Sequence, residues 1–210
     1  MYAGARDITK LESIKSSYGD RLVPVELDVT NDRSISQAAT VAKDVEILIN
    51  NAGIFSVGNF LNGNLLESLQ INFDVNVLGL VKLTHAFLET LKKQDSAAIA
   101  SVSSIIGLAS MPMGLTYCAS KAAVHSIIQG LRGELKDSNI LVTGVYPGPI
   151  DTEMAKDLEM EKDTPQNVAK NIVEGIKEGL EDIFPDVMSS QVGEAYFASP
   201  KAVEAQFSGL

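Results

Sequence analysis

The sequence EILINNAG, which runs from Glu46 to Gly53, joins a short apolar run to two asparagines and a glycine-containing turn. Apolar runs of this length that end at turn residues are typical of strands buried in a sheet. We therefore predict a strand over Glu46–Asn50, with polar side chains at its carboxyl end.

Strands and helices alternate on both sides of this stretch. Further strands are predicted over Met1–Ala5, Leu22–Leu27, Ala97–Ser103, Leu141–Tyr146 and Asp182–Phe184. Helices are predicted from Ile8 to Lys15, over Ser34–Lys43 behind an N-cap at Asp32, over Leu65–Lys93 with a break near Asn72, over Tyr117–Lys136, and from Thr164-Pro165 onward. This order requires parallel pairing. We predict an α/β fold: a single domain over residues 1–210 with a Rossmann-like, doubly wound, mostly parallel sheet and helices on both faces.

The composition excludes several classes of partner. The chain has 210 residues, with 17 Lys and Arg against 27 Asp and Glu, and a net charge of −10. An acidic surface repels phosphate backbones and anionic head groups, so we expect neither a nucleic acid nor a membrane as partner. The single Cys118 cannot form an internal disulfide, and we expect a cytoplasmic protein. Neither His85 nor His125 has a partner at metal-ligand spacing, so we predict no metal site.

Polar residues follow the predicted strands at their carboxyl ends, where ligands bind in open α/β sheets. They are Asp28, Asn50-Asn51, Ser103-Ser104 and Thr152. The predicted helix behind them begins with Tyr117 and carries Lys121 four residues later, so both side chains lie on one helix face.

A tyrosine beside a lysine can exchange protons near neutral pH only if its pKa falls from about 10. At about 4 Å and an effective dielectric of about 20, the ammonium of Lys121 would stabilise a Tyr117 phenolate by roughly 4 kcal/mol. Burial opposes this change, because desolvation raises the pKa of a phenol. The alternative is an aromatic residue at a helix start with a solvated lysine beside it.

Four motifs occur in a fixed order: NNAG (Asn50–Gly53), VSS (Val102–Ser104), YCASK (Tyr117–Lys121) and YPGPIDT (Tyr146–Thr152). Together they resemble the short-chain dehydrogenase/reductase family over nearly the whole chain. The resemblance implies that Tyr117 exchanges a proton with the substrate oxygen while hydride moves to or from a nicotinamide. It implies that Lys121 lowers the pKa of Tyr117 and holds the nicotinamide ribose, that Ser104 orients the carbonyl, and that Asn76 holds a water of the proton relay.

The resemblance also implies a set of cofactor-binding residues. Besides Tyr117 and Lys121 these are Asp28 and Val29 near the adenine, Asn50, Ala52 and Gly53 beside the adenosine, and Pro147, Gly148, Ile150 and Thr152 at the carboxamide. Arg6 lies where NADP-preferring members carry a cation for the 2′-phosphate, so NADP is favoured over NAD. We expect the neighbouring Asp7 to be a helix N-cap.

One family motif is missing. The phosphate loop T-G-x-x-x-G-x-G does not occur, because no two of the 16 glycines are separated by a single residue. The domain is therefore expected to be N-terminally incomplete, without a first strand and helix of roughly 25 residues. The family places that strand between the strands that begin here at Met1 and Glu46, so these two are expected to lack ladder partners unless they pair with each other or another chain fills the gap.

Two functions follow from these observations. The first is an NADP-dependent oxidoreductase that acts on a small-molecule carbonyl or alcohol. By analogy with the family it would be a homo-oligomer that associates through helices 65–93 and 117–136. The alternative is a truncated, non-catalytic remnant that acts at most as an oligomerisation or binding module.

Overall fold

The structure is a computed structural model that describes residues 1–61 and 63–210. Its strands are β1 (Tyr2–Ala5), β2 (Val23–Glu26), β3 (Ile47–Asn50), β4 (Ala97–Val102), β5 (Ile140–Val145) and β6 (Asp182–Ile183). Its α-helices are α1 (Glu12–Tyr18), α2 (Asp32–Val41), α3 (Leu65–Asn72), α4 (Leu80–Leu91), α5 (Leu115–Glu134), α6 (Pro165–Lys177), α7 (Val187–Ala198) and α8 (Pro200–Ser208).

All the strand pairs in the described residues are parallel, which confirms the predicted fold class. They form two sheets, one with the order β1-β2 and one with the order β3-β4-β5-β6. β1 and β3 do not pair with each other. The sheet that the sequence predicts is therefore divided in two at this position.

Helices cover both faces of the larger sheet. Successive side chains of β4 point to opposite faces. Ile99 packs in the main core with Phe87 of α4 and Val124 of α5, whereas Ala100 packs on the other face with Ile176 of α6. The doubly wound arrangement therefore follows from apolar residues on both sides of the same buried strand.

The start of α2 differs from the prediction. Its N-cap is Asn31, whose side chain accepts the backbone N–H groups of Arg33 and Ser34. Asp32 instead forms a 2.7 Å ion pair with Lys82 of α4. The predicted caps are confirmed at Asp7, which accepts from the Thr9 N–H, and at Thr164.

The long helix predicted over residues 65–93 does not break near Asn72. It continues from α3 through a π-helical segment, Phe73–Gly79, into α4. Such segments occur frequently at functional sites. Helices α7 and α8 were not predicted, although Asp186 and Ser199 cap them with their side chains.

Candidate active site

Tyr117 and Lys121 lie one turn apart on α5, as the i, i+4 spacing predicts. The Lys121 Nζ atom is 5.5 Å from the centre of the Tyr117 ring, and the lysine is only 5% exposed. Its ammonium donates a 2.7 Å hydrogen bond to the carbonyl oxygen of Val102, the last residue of β4. This hydrogen bond holds α5 against the carboxyl end of the sheet. It uses one of the three N–H donors of the Lys121 ammonium.

The pKa relationship expected for this pair is not found. Burial raises the pKa of Tyr117 well above its ordinary value and lowers the pKa of Lys121 to about 8. The reason is that desolvation penalises the charged form of each group. In this structure the cost of burial dominates the pKa of Tyr117, and the role of Lys121 in favouring the Tyr117 phenolate stays a prediction.

Asn76 connects α5 to the loop after β3. Its Oδ1 accepts the N–H of Ile54 at 2.8 Å, and its Nδ2 donates to the Ile54 carbonyl and to Ser120 Oγ at 3.0 and 2.9 Å. Both amide hydrogens are thus used within the protein, so the side chain is a clamp rather than an open donor for water. A Cβ atom at Gly53 would lie 3.4 Å from Asn76 Oδ1 and 3.8 Å from Lys121 Nζ, which places the predicted cofactor turn directly beside this pair.

A second asparagine makes a matching clamp that the sequence did not reveal. Asn72 is fully buried, accepts the N–H of Ser56 and donates to the Ser56 carbonyl and to Thr116 Oγ1. A buried asparagine within an apolar helix pattern is the available signal, since such a residue must satisfy its amide.

Ser104 follows β4 and reaches the loop after β5. Its hydroxyl donates to the Pro147 carbonyl at 3.3 Å and caps the short 3₁₀ turn that follows it. Within residues 1–61 and 63–210, no hydrogen bond joins Ser104 to Tyr117. The neighbouring Ser103 is buried and donates to the Lys121 carbonyl at 2.9 Å, so the two serines of the VSS motif fix two different elements.

The segment Pro147–Thr152 is held from two sides. The N–H of Gly148 donates a 2.8 Å hydrogen bond to Asp186 Oδ2. The other carboxylate oxygen, Asp186 Oδ1, caps α7 by accepting the N–H of Ser189. Ile150 forms a parallel bridge with Asp163, and Thr152 Oγ1 bonds back to the Ile150 carbonyl. Sequence reasoning missed Asp186; the spacing Asp186-x-x-Ser189, typical of a helix N-cap, was the available signal.

The predicted adenosine residues lie at the ends of β2 and β3. Hydrogen bonds from Thr30 lower the pKa of Asp28, with a smaller contribution from the charge of Arg6. Val29 is buried and packs in the main core. Gly4, Val29, Asn50 and Ala52 line one cavity of about 180 Å³ between the two sheets.

A larger cavity of about 380 Å³ lies away from Tyr117. Its walls include Asp163, Asn171 and Asp186, and none of the residues predicted for catalysis or cofactor binding lines it. No group of His, Cys, Asp and Glu in the described residues is arranged to hold a metal ion. None of the described helices combines the length and apolar character needed to cross a bilayer.

Comparison with known proteins gives a consistent picture. A family profile described as short chain dehydrogenase matches residues 3–163. Retinol dehydrogenase 8 of Homo sapiens is 35% identical over 156 residues, which are 72% of this chain and 50% of that protein. The chain therefore spans about half the length of this relative.

Two solved structures resemble the fold. A short chain dehydrogenase from Burkholderia cenocepacia J2315, in complex with NADP, is 31% identical with a TM-score of 0.87, covering 98% of this chain and 85% of that one. A short chain dehydrogenase/reductase from Burkholderia phymatum, in complex with NAD, is 21% identical with a TM-score of 0.81, covering 95% and 82% of the two chains. The second likeness concerns the fold alone.

Proposed function

Because the chain belongs to the short chain dehydrogenase family, we propose that it is an NADP-dependent oxidoreductase that interconverts a small-molecule carbonyl and an alcohol. Its proposed catalytic set is Tyr117, Lys121 and Ser104, with Asn76 as a positioning residue that ties the loop after β3 to α5. The main support is the buried Lys121 ammonium, 5.5 Å from the Tyr117 ring centre and bonded to the end of β4. Ligands bind at this end of the strands in open α/β sheets.

The residues around Lys121 suit the nicotinamide half of a dinucleotide. Two of the three ammonium donors remain for ribose hydroxyls after the bond to Val102. The Pro147–Thr152 segment would hold the carboxamide. Bound there, the nicotinamide would supply or accept the hydride. We favour NADP because Arg6 carries a cation beside Asp28 and because the B. cenocepacia relative binds NADP.

Tyr117 is the proposed proton donor for carbonyl reduction. Its hydroxyl makes no hydrogen bond within the described part of the chain, so it is available to a substrate oxygen. Burial keeps it protonated at neutral pH, which suits donation to an oxygen that is gaining charge. Lys121, with its pKa of about 8, is still mostly protonated at pH 7. It would stabilise the phenolate that remains after the transfer.

The 210 residues offer fewer binding groups for the phosphates of a dinucleotide than for its nicotinamide half. The glycine-rich turn that would present N–H groups to a pyrophosphate is absent from the 210 residues. The connection after β1 begins instead with a 3₁₀ turn whose N-terminus is capped by the carboxylate of Asp7. That negative charge opposes a phosphate, so we expect weak cofactor binding.

A second candidate is supported by the divided sheet. In this case the chain is a non-catalytic family member that acts at most as an oligomerisation or binding module. The absence of pairing between β1 and β3 in the residues that the structure describes favours it. For either candidate, a homo-oligomeric state and a cytoplasmic location stay predictions.

Titration of the protein with NADPH, followed by nicotinamide fluorescence, separates the two candidates. The enzyme proposal predicts saturable binding that Lys121→Ala abolishes. Lys136→Ala, at an exposed position just beyond α5, is the matched control and should bind as the natural protein does. No binding at millimolar NADPH would favour the non-catalytic candidate.

A further inference from the structure

Two asparagines of one continuous helix hold the loop after β3 at alternate residues. Asn76 accepts the N–H of Ile54 at 2.8 Å and donates to the Ile54 carbonyl at 3.0 Å. Asn72, one turn earlier, accepts the N–H of Ser56 at 3.1 Å and donates to the Ser56 carbonyl at 2.8 Å. Each side-chain amide therefore pairs with both backbone groups of a single residue, as a residue of an antiparallel strand does.

The spacing of the two asparagines matches that of an extended chain. Residues four apart on a helix lie about 6 Å apart, and residues two apart in an extended chain lie about 6.6 Å apart. Both asparagines are buried, so release of the loop would leave their amides without partners, which is costly. The loop is therefore fixed at Ile54 and at Ser56, on either side of Phe55.

Thr116 joins the same loop to the first turn of α5. Its side chain is buried, and its hydroxyl donates to the Ser56 carbonyl at 2.9 Å and accepts a hydrogen bond from Asn72 Nδ2 at 3.2 Å. Thr116 directly precedes Tyr117. The backbone of Ser56 is thus fixed relative to the turn of helix that carries Tyr117.

Phe55 is the residue that these contacts hold against Tyr117. The centres of the two rings are 4.9 Å apart and their planes meet at 67°, which is an edge-to-face geometry that aromatic pairs favour. The ring also lies close to Gly114, where a Cβ atom would be 3.5 Å from Phe55 Cε2. Phe55 therefore packs against the start of α5 at two places.

This contact affects both the position and the solvation of the Tyr117 hydroxyl. The hydroxyl lies at the far end of the ring, so a side chain that fixes the ring also fixes the hydroxyl. Burial is the main reason why the pKa of Tyr117 is raised, and Cys118 makes a smaller contribution in the same direction. Lys121 also faces the ring, with its Nζ atom 5.5 Å from the ring centre. An apolar ring in direct contact contributes to this burial because it excludes water from one side.

We propose that Phe55, held in place by Asn72 and Asn76, is a positioning residue for proton transfer, because its ring fixes the Tyr117 ring and excludes water from one side of it. This role rests on the proposed function of Tyr117 as the proton donor. Phe55 itself exchanges no proton. Thr116 contributes through the same loop, since its hydroxyl connects Ser56 to the helix turn of Tyr117.

NMR of the protein without cofactor or substrate tests the contact directly. Tyrosines labelled with ¹³C at Cζ give one signal for each of the five tyrosines, and Tyr117→Phe identifies the signal of Tyr117. At about pH 10.5 a tyrosine with the ordinary pKa of about 10 is mostly ionised. Tyr117 should still be protonated there in the natural protein, whereas in Phe55→Ala its pKa should fall toward 10 and the phenolate signal should appear.

Phe60→Ala is the matched control. Phe60 belongs to the same loop, lies outside the two asparagine clamps and is 79% exposed, so its loss should leave the Tyr117 signal unchanged. Circular dichroism at the same pH verifies that each variant is folded.

Steady-state carbonyl reduction by NADPH tests the effect on proton transfer. Phe55→Ala should lower kcat by at least about tenfold, because a displaced hydroxyl donates less efficiently. The KM for NADPH should change less than about twofold, since the ring acts on the proton donor and not on the cofactor. Phe60→Ala should keep both values.

Thr116 provides a second pair of variants that leaves both aromatic rings intact. Thr116→Val keeps the shape of the side chain but removes the hydroxyl that bonds to Ser56, and it should lower kcat about fivefold and lower the pKa of Tyr117. Thr116→Ser keeps the hydroxyl and should retain the natural values. This pair decides the question if Phe55→Ala does not fold.

Three results would overturn the proposal. They are an unchanged Tyr117 signal in folded Phe55→Ala at about pH 10.5, equal kcat values for Phe55→Ala and Phe60→Ala, and equal kcat values for Thr116→Val and Thr116→Ser. Absence of turnover in the natural protein would instead contradict the proposed function. The NMR comparison needs no turnover, so it still decides whether Phe55 shields Tyr117.

Discussion

The N–H of Gly148 and the carboxylate of Asp186 are joined by a 2.8 Å hydrogen bond, and the same carboxylate caps α7. One buried side chain thereby fixes both the loop after β5 and a helix start 38 residues later. The predicted carboxamide segment is therefore supported by the C-terminal helices as well as by the sheet.

Asp186→Ala should destabilise the protein more than loss of an ordinary helix cap. It removes the cap and leaves the partly buried Gly148 N–H without its acceptor, so we expect a loss of about 2 kcal/mol in the free energy of unfolding. Thr164→Ala, which removes only the cap of α6, should cost about 1 kcal/mol. Urea unfolding of both variants measures the difference, and equal losses would contradict a role for the Gly148 contact.

Gly107 permits the close approach of the loop after β4 to α5. A Cβ atom there would lie 2.8 Å from the backbone of Lys121 and 2.9 Å from Ser103 Oγ. Gly107→Ala should therefore reduce the free energy of unfolding by about 2 kcal/mol. Gly130→Ala, in α5 with open space around it, should instead stabilise the protein by up to about 1 kcal/mol. Thermal unfolding of both variants should show midpoints that move in opposite directions.

The buried Lys121 should give stability a characteristic pH dependence. Its pKa of about 8 lies below the ordinary value of 10.5, so the unfolded chain binds more protons between these values. The contribution of Lys121 to the free energy of unfolding should therefore rise with pH across this window, by up to about 3 kcal/mol. Unfolding of the natural protein and of Lys121→Met, compared from pH 7 to 10, isolates this contribution. A constant difference would show that the lysine is not desolvated.

Tyr117→Phe separates proton transfer from cofactor binding. The hydroxyl makes no hydrogen bond in the part of the chain that the structure describes, and the ring packs edge-on against Phe55 at 4.9 Å. The variant should therefore retain its fold and its NADPH affinity while carbonyl reduction is abolished. Stopped-flow or steady-state assays with a panel of carbonyl compounds provide the readout. Parallel loss of affinity and turnover would argue against a role limited to the proton.

Apolar side chains are exposed on the continuous helix formed by α3, the segment Phe73–Gly79 and α4, and they favour the predicted homo-oligomer. Leu66, Leu78 and Val81 are 78%, 46% and 41% exposed, and surfaces of this kind often form interfaces. Sedimentation velocity should show an oligomer that the double variant Leu78→Glu, Val81→Glu converts to monomer. A natural protein that sediments as a monomer at micromolar concentration would contradict this interface.

Local signals in the sequence predicted much of the fold. Thr164 and Pro165 marked the start of α6, because N-caps and N1 prolines act within one turn. The cap of α2 was misplaced by one residue, from Asn31 to Asp32, since both side chains can accept N–H groups. Helices α7 and α8 were missed, although Asp186 and Ser199 begin them.

The site was predictable where it depends on spacing within one element. The i, i+4 relation placed Tyr117 and Lys121 on one helix face. The direction of the Tyr117 pKa was not predictable, because burial depends on packing by distant residues such as Phe55. Other contacts of the site join residues that are 16 to 44 positions apart in the sequence, a separation at which no short-range pattern is informative. They are the clamps made by Asn76 and Asn72 and the contact made by Asp186.

The π-helical segment Phe73–Gly79 also determines where this protein can change in length. Its turns are wider than those of an α-helix, so it holds one more residue than regular winding would over the same rotation. Deletion of one residue from this segment should therefore restore α-helical winding and leave Leu83 and Phe87 directed into the main core. The same deletion within α4 would instead rotate every later residue of the helix by about 100°.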